Sequence, residues 1–115
     1  MRRGEVRLVD LDPVRGSEAG SRRPTVVVSN DQADAVAGRL GRGVVTVVPV
    51  TSDTTRVFPF QVLLTADETG LDVDSKAQAE QVRAVSVDRL GPALGSVSLA
   101  ATAALDDALR LHLSL

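Results

Sequence analysis

The sequence predicts a small, mainly β domain that is closed by one C-terminal helix. Three features support this prediction: period-two alternation near the N-terminus, two β-branched runs within the first 50 residues, and an amphipathic helical pattern over residues 98–115. A chain of 115 residues is large enough for one core and leaves no room for a second. We therefore expect a single domain over residues 1–115.

The first strand is predicted over residues 4–10, where Val6 and Leu8 alternate with charged neighbours. The apolar pattern then stops, and Asp-Pro and Gly-Ser pairs predict a loop over residues 11–24. A loop of this length in so small a domain is more often functional than merely connecting. It carries the charged residues Arg15, Glu18, Arg22 and Arg23.

A second strand is predicted over residues 25–29, which are mostly β-branched and apolar, so we expect burial on both faces. Asn30 is a suitable N-cap for a short helix that ends near Gly38 or Gly41. One face of that helix would hold Ala33, Val36 and Ala37. The next strand, over residues 44–50, contains Pro49, which cannot donate to a ladder and therefore predicts an edge or a bulge.

The later elements are predicted in order as a polar, mobile connection over residues 52–56, a strand over 58–64, a turn over 67–70 and further sheet over 75–87. Ser98 can cap the final helix, whose apolar stripe includes Leu105 and His112. Because His112 is the only histidine and lies on that stripe, a packed or interface histidine is a better interpretation than a ligand or general base. A ribonuclease mechanism with two histidines is excluded.

Composition excludes several other function classes. The chain contains no cysteine, so a disulfide framework, a thiolate metal site and a cysteine nucleophile are impossible. No apolar run approaches the roughly 18 residues of a membrane span. A strand also stands where a signal peptide would place its apolar segment, so we expect a cytoplasmic protein.

The charge distribution places any site for a polyanion in the first half of the chain. The net charge is −2, which argues against a surface that is basic all over. Residues 1–65 nevertheless hold nine arginines against seven carboxylates, whereas residues 66–115 hold four basic and eight acidic side chains. Lys76 is the only basic residue that is not an arginine, and the arginine fork suits bidentate binding of phosphate.

Two other kinds of site are disfavoured. The carboxylate pairs Asp31/Asp34 and Asp72/Asp74 have no histidine nearby, so they are interpreted as helix caps and turn residues, and no metal site is expected. The glycines form neither a dinucleotide-binding nor a P-loop pattern, so no nucleotide cradle is expected.

Polar residues in three segments are candidates for binding phosphate groups or bases. Pro24 favours extended backbone at Arg23 and so gives its guanidinium a defined direction, although a plain surface arginine is the alternative. Thr51 and Ser52 place two hydroxyls at a strand end, where ordinary turn chemistry is the alternative. A third segment could supply hydrogen-bond donors and acceptors for bases, and an ordinary solvated sheet face is the alternative. Its residues are Ser75, Gln78, Glu80, Gln81 and Arg83.

Six short motifs, in order, together resemble the MazF family of toxin–antitoxin ribonucleases over nearly the whole chain. They are Arg3-Gly4-Glu5-Val6, Asp10-Leu11-Asp12-Pro13, Gly16-Ser17-Glu18, Arg23-Pro24, Pro49-Val50-Thr51-Ser52, and Glu80-Gln81-Val82-Arg83 with Asp88-Arg89-Leu90. The resemblance implies an SH3-like, partly open β-barrel with a short helix after strand 2 and a C-terminal helix. It also implies a homodimer without a cofactor.

The resemblance further implies metal-independent cleavage of single-stranded RNA, chiefly messenger RNA with ribosomal and transfer RNA as alternatives, to 2′,3′-cyclic phosphate and 5′-hydroxyl ends. DNA lacks the attacking 2′-hydroxyl and would not be a substrate. The implied catalytic residues are Arg23, Thr51 and, from the position matching a carboxylate of the toxin Kid, Glu80. The implied RNA-binding residues are Arg15, Ser17, Glu18, Arg22, Ser52, Arg56, Gln78, Gln81 and Arg83.

The sequence departs from the family in two respects. Gln78 stands where the toxin Kid has an arginine, and Arg7 and Leu8 stand where a tyrosine or tryptophan commonly follows the first Gly-Glu-Val. Stacking of bases must then be weak or come from arginine planes. The implied partner is a MazE-like antitoxin whose acidic, disordered tail occupies the RNA groove.

Two functions of other classes remain as alternatives. A gyrase poison like CcdB would share the fold, but that toxin depends on a terminal Trp-Gly-Ile, and this chain contains no tryptophan. A non-catalytic SH3-like RNA-binding module would keep the basic groove and would have no need of Thr51 beside Arg23.

Overall fold

Residues 1–12 and 15–115, which the computed structural model describes, form seven antiparallel strands and three α-helices. Pro13 of the Asp-Leu-Asp-Pro motif lies outside the described residues. In chain order the elements are β1 (Glu5–Asp10), β2 (Arg22–Val27), α1 (Asp31–Leu40), β3 (Val44–Thr51), β4 (Gln61–Leu64), α2 (Ala66–Thr69), β5 (Ser75–Gln78), β6 (Arg83–Ser86), β7 (Leu90–Ser96) and α3 (Leu99–Leu113). Two 3₁₀ turns, Ala79–Gln81 and Val87–Arg89, flank β6.

The strands form one strongly bent sheet in the order β4-β5-β3-β2-β1-β7, and β6 pairs with the first half of β3. The mainly β fold, with a short helix after strand 2 and a helix at the C-terminus, is as predicted, and a partly open barrel describes it.

The predicted burial of strand 2 on both faces is confirmed. Val26 belongs to an apolar cluster beneath α3 that includes Leu105. The next residue, Val27, belongs to a second cluster beneath α1 that includes Ala37. The alternation of side chains along β2 therefore connects the two halves of the core.

Both predicted helix caps are present. The Asn30 side chain accepts a hydrogen bond from the Ala33 backbone N–H, and the Ser98 hydroxyl accepts one from the Ala101 N–H. Ala33, Val36 and Ala37 share one side of α1, as predicted. Of the three only Ala37 is buried, and the other buried residue of the helix is Asp34.

Two further predictions about helices can be compared with the structure. His112 is exposed, with its ring centre 6.4 Å from that of Phe60, so it is not packed in the core of the single chain, and an interface histidine stays a prediction. The turn predicted over residues 67–70 is the short helix α2, and Gly70 ends it with φ of 79°.

Strand 2 begins three residues earlier than predicted, at Arg22 instead of residue 25. The reason is pairing with β1, which places Val9 opposite Arg23 and Leu8 opposite Pro24. Pro49 was predicted to mark an edge or a bulge, and the edge alternative is wrong because β3 is central. The proline is accommodated where β3 changes partner from β6 to β5, since neither strand pairs with it there.

Two differences concern the second half of the sheet. The strand predicted over 58–64 begins only at Gln61, because Phe58–Phe60 forms a turn closed by a hydrogen bond from the Gln61 N–H to the Phe58 carbonyl. The edge strand β7 was not predicted at all, since Gly91, Pro92 and Gly95 interrupt its pattern. Within the described ranges, no helix has the length and apolar character needed to cross a membrane.

Candidate functional site

A cleft of about 470 Å³ opens where the ladder between β2 and β3 ends. Its polar side consists of Arg22 and Arg23 from β2, with Thr51 and Ser52 at the end of β3. Two segments that are far apart in the sequence therefore contribute guanidinium and hydroxyl groups to one concave surface.

The strand register explains why these groups meet. The last pair between β2 and β3 joins Thr25 to Pro49. Arg23 and Thr51 each lie two residues beyond that pair, in the same register, at the point where the strands separate. Because side chains two residues apart leave a strand on the same face, the register brings both to one side of the sheet.

Arg23 is held by its inner nitrogen. Its Nε donates a hydrogen bond to the Gly20 carbonyl across 2.8 Å, and the residue is half-buried. In the part of the chain that the structure describes, the ion pairs join Arg3 to Asp106, Arg7 to Glu5 and Arg110 to Asp107, and none involves Arg23. Its terminal nitrogens are thus not neutralised by a carboxylate and retain their capacity to bind an anion.

Thr51 is arranged to donate a hydrogen bond. Its Oγ1 accepts from the Asp53 backbone N–H across 3.3 Å, which leaves the hydroxyl proton for another acceptor. Asp53 in turn accepts from Thr55, and hydrogen bonds from the side chain and backbone of Thr55 lower the pKa of this exposed carboxyl. The segment after β3 is therefore a series of turns closed by side chains.

The opposite wall of the cleft was not anticipated from the sequence. It consists of the segment after α2 together with single residues of β1 and β7: Gly70, Leu71, Asp72, Val73, Leu8 and Leu94. Asp72 contributes the only carboxylate among the described lining residues, and its neighbours are aliphatic. Only a turn could be predicted here from the sequence, because the approach of this segment depends on how the barrel closes.

The loop between β1 and β2 uses several predicted RNA-binding residues for its own structure. The Glu18 carboxylate accepts from the Arg15 backbone N–H across 2.6 Å. The Gln81 side chain contacts the backbone of Ser17 and Ala19. The Arg83 guanidinium donates to the Leu11 carbonyl across 3.3 Å. The five predicted RNA-binding residues concerned are absent from the described residues that line the cleft: Arg15, Ser17, Glu18, Gln81 and Arg83.

Glu80 and Gln78 lie apart from this cleft in the single chain. Thr51 pairs with Lys76 of β5, and Glu80 follows four residues later in the 3₁₀ turn. The Glu80 carboxylate accepts from Gln61 Nε2 across 2.6 Å. Within residues 1–12 and 15–115, Oε1 of both Glu80 and Gln78 is buried without a hydrogen-bond partner.

Arg56 belongs to an aromatic cluster. Its guanidinium lies 4.5 Å from the centre of the Phe58 ring, which is stacked on Phe60. The buried Lys76 ammonium donates to the Arg56 carbonyl across 2.6 Å. The described residues contain no cluster of three or more histidine, cysteine or carboxylate side chains that could hold a metal ion.

Comparison with known proteins gives a consistent result. Residues 2–113 match the family described as PemK-like, MazF-like toxin of type II toxin–antitoxin system. The chain is 64% identical over 115 residues to the endoribonuclease MazF9 of Mycobacterium tuberculosis, covering 100% of this chain and 98% of that one. It is 34% identical to the endoribonuclease MazF of Staphylococcus epidermidis, covering 100% and 92%.

Two solved structures extend the comparison. The crystal structure of MazF from Deinococcus radiodurans superimposes with a TM-score of 0.82 at 25% identity, covering 100% of this chain and 97% of that one. A mycobacterial endoribonuclease in complex with its cognate antitoxin gives a TM-score of 0.75 at 26% identity, covering 100% and 96%.

Proposed function

The chain belongs to the PemK-like, MazF-like toxins of type II toxin–antitoxin systems, and from this premise we propose that Arg23 and Thr51 promote metal-independent cleavage of single-stranded RNA. It is an endoribonuclease toxin, with RNA as its substrate and an antitoxin as its partner. The observation that carries the proposed chemistry is the cleft shared by Arg23 and Thr51. We propose that one domain, residues 1–115, performs the reaction in the cytoplasm as a homodimer.

In the proposed reaction the ribose 2′-oxygen attacks the adjacent phosphorus. A bond forms between the 2′-oxygen and phosphorus, and the bond from phosphorus to the 5′-oxygen breaks. The products are a 2′,3′-cyclic phosphate and a 5′-hydroxyl. The protein must accept the proton of the 2′-hydroxyl, assist protonation of the 5′-oxygen, and stabilise the charge that develops on the phosphoryl group.

Arg23 and Thr51 supply the charge stabilisation. Nε of Arg23 donates its hydrogen bond to the Gly20 carbonyl. The two terminal nitrogens are therefore the donors that would bind the phosphate and the departing 5′-oxygen. The Thr51 hydroxyl already accepts from Asp53, so it donates its proton to a non-bridging oxygen. Donors arranged before the substrate binds need no reorganisation during the reaction.

Arginine is an unsuitable proton acceptor, since its guanidinium stays protonated in proteins. We propose Glu80 for this role, because one of its carboxylate oxygens is buried without a partner among the described residues. The carboxylate lies outside the Arg23 cleft. As the acceptor it must reach the 2′-hydroxyl beside the same phosphorus, so the proposal requires RNA binding or the homodimer to bring a Glu80 carboxylate within hydrogen-bond distance of the phosphate that Arg23 and Thr51 hold.

The other polar residues that line the cleft would bind the RNA on either side of the cut. Arg22 and Ser52 line the cleft beside the two catalytic candidates. The aliphatic wall around Leu71 and Val73 offers a surface for a base, and Asp72 can accept hydrogen bonds from its amino group. An acidic antitoxin tail would compete for the same arginines.

The test is to incubate the purified protein with a long single-stranded RNA in EDTA and to map the ends. Cyclic-phosphate ends at one short motif are expected, and Arg23→Ala should lower the rate by about 100-fold or more. Arg110→Ala is the matched control, because the Arg110 guanidinium pairs with Asp107 on an exposed part of α3 and is not among the described residues that line the cleft. Cleavage that stops in EDTA, or that continues undiminished in Arg23→Ala, would contradict the proposal.

A further inference from the structure

The side-chain amide of Gln81 holds the loop between β1 and β2 at two points. Its Oε1 accepts a hydrogen bond from the Ala19 backbone N–H across 3.0 Å, and its Nε2 donates to the Ser17 carbonyl across 3.1 Å. Gln81 ends a 3₁₀ turn that is 62 and 64 residues away from these partners in the sequence. One amide thus satisfies a donor and an acceptor of a distant loop, as a neighbouring strand would.

The same loop carries the carbonyl that holds Arg23. Gly20 follows Ala19 directly, and its oxygen accepts the hydrogen bond from Arg23 Nε across 2.8 Å. Ala19 is buried in the apolar cluster beneath α1, so the segment on the Gln81 side of Gly20 is anchored by packing as well as by hydrogen bonds. Displacement of Ala19 would therefore move the Gly20 carbonyl.

The other side of Gly20 has its own anchors. The Ser21 carbonyl accepts from the Leu11 N–H, and the Ser21 N–H donates to the Asp12 carboxylate. Ser21 also has φ of 63°, a conformation that a serine adopts at some cost and that its surroundings must hold. With Ser21 held in this way, the Gln81 contacts are the hydrogen bonds that can set the position of Gly20 from its N-terminal side.

We propose that Gln81 is a positioning residue that orients the Arg23 guanidinium through the segment Ser17–Gly20. The inference rests on the role proposed above for Arg23. It assigns Gln81 to the loop instead of to a base, because both functions of its amide are already engaged by backbone groups. A donor that is displaced by about 1 Å from its productive position can lower a rate by up to about 100-fold, so orientation matters here.

The kinetic test compares Gln81→Ala and Gln81→Glu with Gln32→Ala. Alanine removes both contacts, and glutamate keeps the acceptor for Ala19 but loses the donor to Ser17. For both Gln81 variants we expect kcat to fall by about 10-fold with KM changed less than about twofold, since orientation affects the transition state more than binding. Gln32 is an exposed residue of α1, so its variant should retain full activity.

The structural test follows the Nε–H protons of two arginines by NMR in the same samples. Arg23 Nε–H donates to Gly20, and Arg3 Nε–H donates to the Val28 carbonyl, both across 2.8 Å. In Gln81→Ala we expect exchange of the Arg23 proton with solvent to accelerate by about 10-fold or more, while the Arg3 proton is unchanged. Equal acceleration of both protons would indicate general loosening and would overturn the proposal.

The two tests separate this inference from the proposed function. If Arg23→Ala remains active, the role of Arg23 in cleavage is wrong, but the NMR result still decides whether Gln81 orients its guanidinium. If Arg23→Ala is inactive while Gln81→Ala cleaves RNA normally and keeps a slowly exchanging Arg23 proton, Gln81 has no positioning role.

Discussion

Gly95 lies against Thr69 so closely that a Cβ atom on the glycine would be 1.8 Å from the Thr69 carbonyl oxygen. The backbone of β7 therefore touches the end of α2 directly. A Cβ on Gly70 would similarly lie 3.1 Å from the Leu94 carbonyl. Because the segment from Gly70 to Val73 forms one wall of the cleft, this contact between two glycines and the facing backbone sets the width of the site.

Gly95→Ala should therefore destabilise the protein and impair cleavage. The clash is with backbone, which cannot rotate away as a side chain would, so we expect a loss of about 3 kcal/mol in the free energy of unfolding. Thermal and urea unfolding measure this loss.

Gly38→Ala is the control. Gly38 lies inside α1, and a Cβ added there would meet Met1 at 3.7 Å, so we expect the free energy of unfolding to rise by about 0.5–1 kcal/mol. Equal stability of the Gly95 and Gly38 variants would show that β7 and α2 separate without cost.

The same glycines explain why part of the fold could not be predicted from the sequence. The β-branched pattern of β2 and β3 and the caps at Asn30 and Ser98 are local signals, and the structure confirms them. The glycines and proline of β7 are unfavourable to a strand when considered alone. The two glycines, Gly91 and Gly95, are needed because β1 and the end of α2 approach the backbone of β7, which is a tertiary requirement.

Thr51→Val and Thr51→Ser should separate the hydroxyl from the shape of the side chain. Valine has nearly the same volume but no proton to donate, so we expect kcat for RNA cleavage to fall by about 100-fold or more. Serine keeps the hydroxyl and should stay within about 10-fold of the unmodified protein. Single-turnover cleavage of a short RNA measures both rates, and a Thr51→Val protein as fast as Thr51→Ser would remove the hydroxyl from the mechanism.

Glu80→Gln tests the proposed proton acceptor. A general base typically contributes about 100-fold or more, so we expect a loss of that size in kcat, with binding of an uncleavable 2′-deoxy substrate preserved. Glu68→Gln is the control, because Glu68 is an exposed carboxylate of α2 outside the cleft. If Glu80→Gln and Glu68→Gln cleave equally fast, the 2′-hydroxyl loses its proton to another group.

The candidate site was only partly predictable, for a related reason. The pairing of Arg23 with Thr51 follows from strand register and from the resemblance to MazF toxins, and both residues line one cleft. The engagement of Gln81 with the loop could not be predicted, since a glutamine in a polar segment has the same sequence signal whether it binds a base or a backbone. Only the folded loop places Ser17 and Ala19 at its amide.

Asp34 provides a test of the core beneath α1. Its carboxylate is fully buried, and the Ser29 hydroxyl donates to one of its oxygens while accepting from the Thr46 backbone N–H. Burial raises the pKa of Asp34 above its ordinary value of 3.8, and the Ser29 hydrogen bond opposes that shift. Carboxyl NMR titration should therefore give a midpoint above 3.8 for Asp34 and a still higher one in Ser29→Ala.

The raised pKa has a definite consequence for stability. In the unfolded chain Asp34 releases its proton near 3.8, whereas the folded protein retains it to a higher pH, so between these two values the folded state binds more protons. The contribution of Asp34 to stability is therefore greatest below pH 3.8 and declines as the pH rises through the pKa of the folded state.

The side chain in Asp34→Asn does not titrate, so urea unfolding from pH 7 down to pH 4 should show the unmodified protein gaining stability relative to this variant. Asp53 is the contrasting site within the same protein, because hydrogen bonds from Thr55 lower its pKa. If the difference in free energy of unfolding between the unmodified protein and Asp34→Asn stays constant from pH 7 to pH 4, the Asp34 carboxyl is no harder to ionise in the folded state than in the unfolded chain.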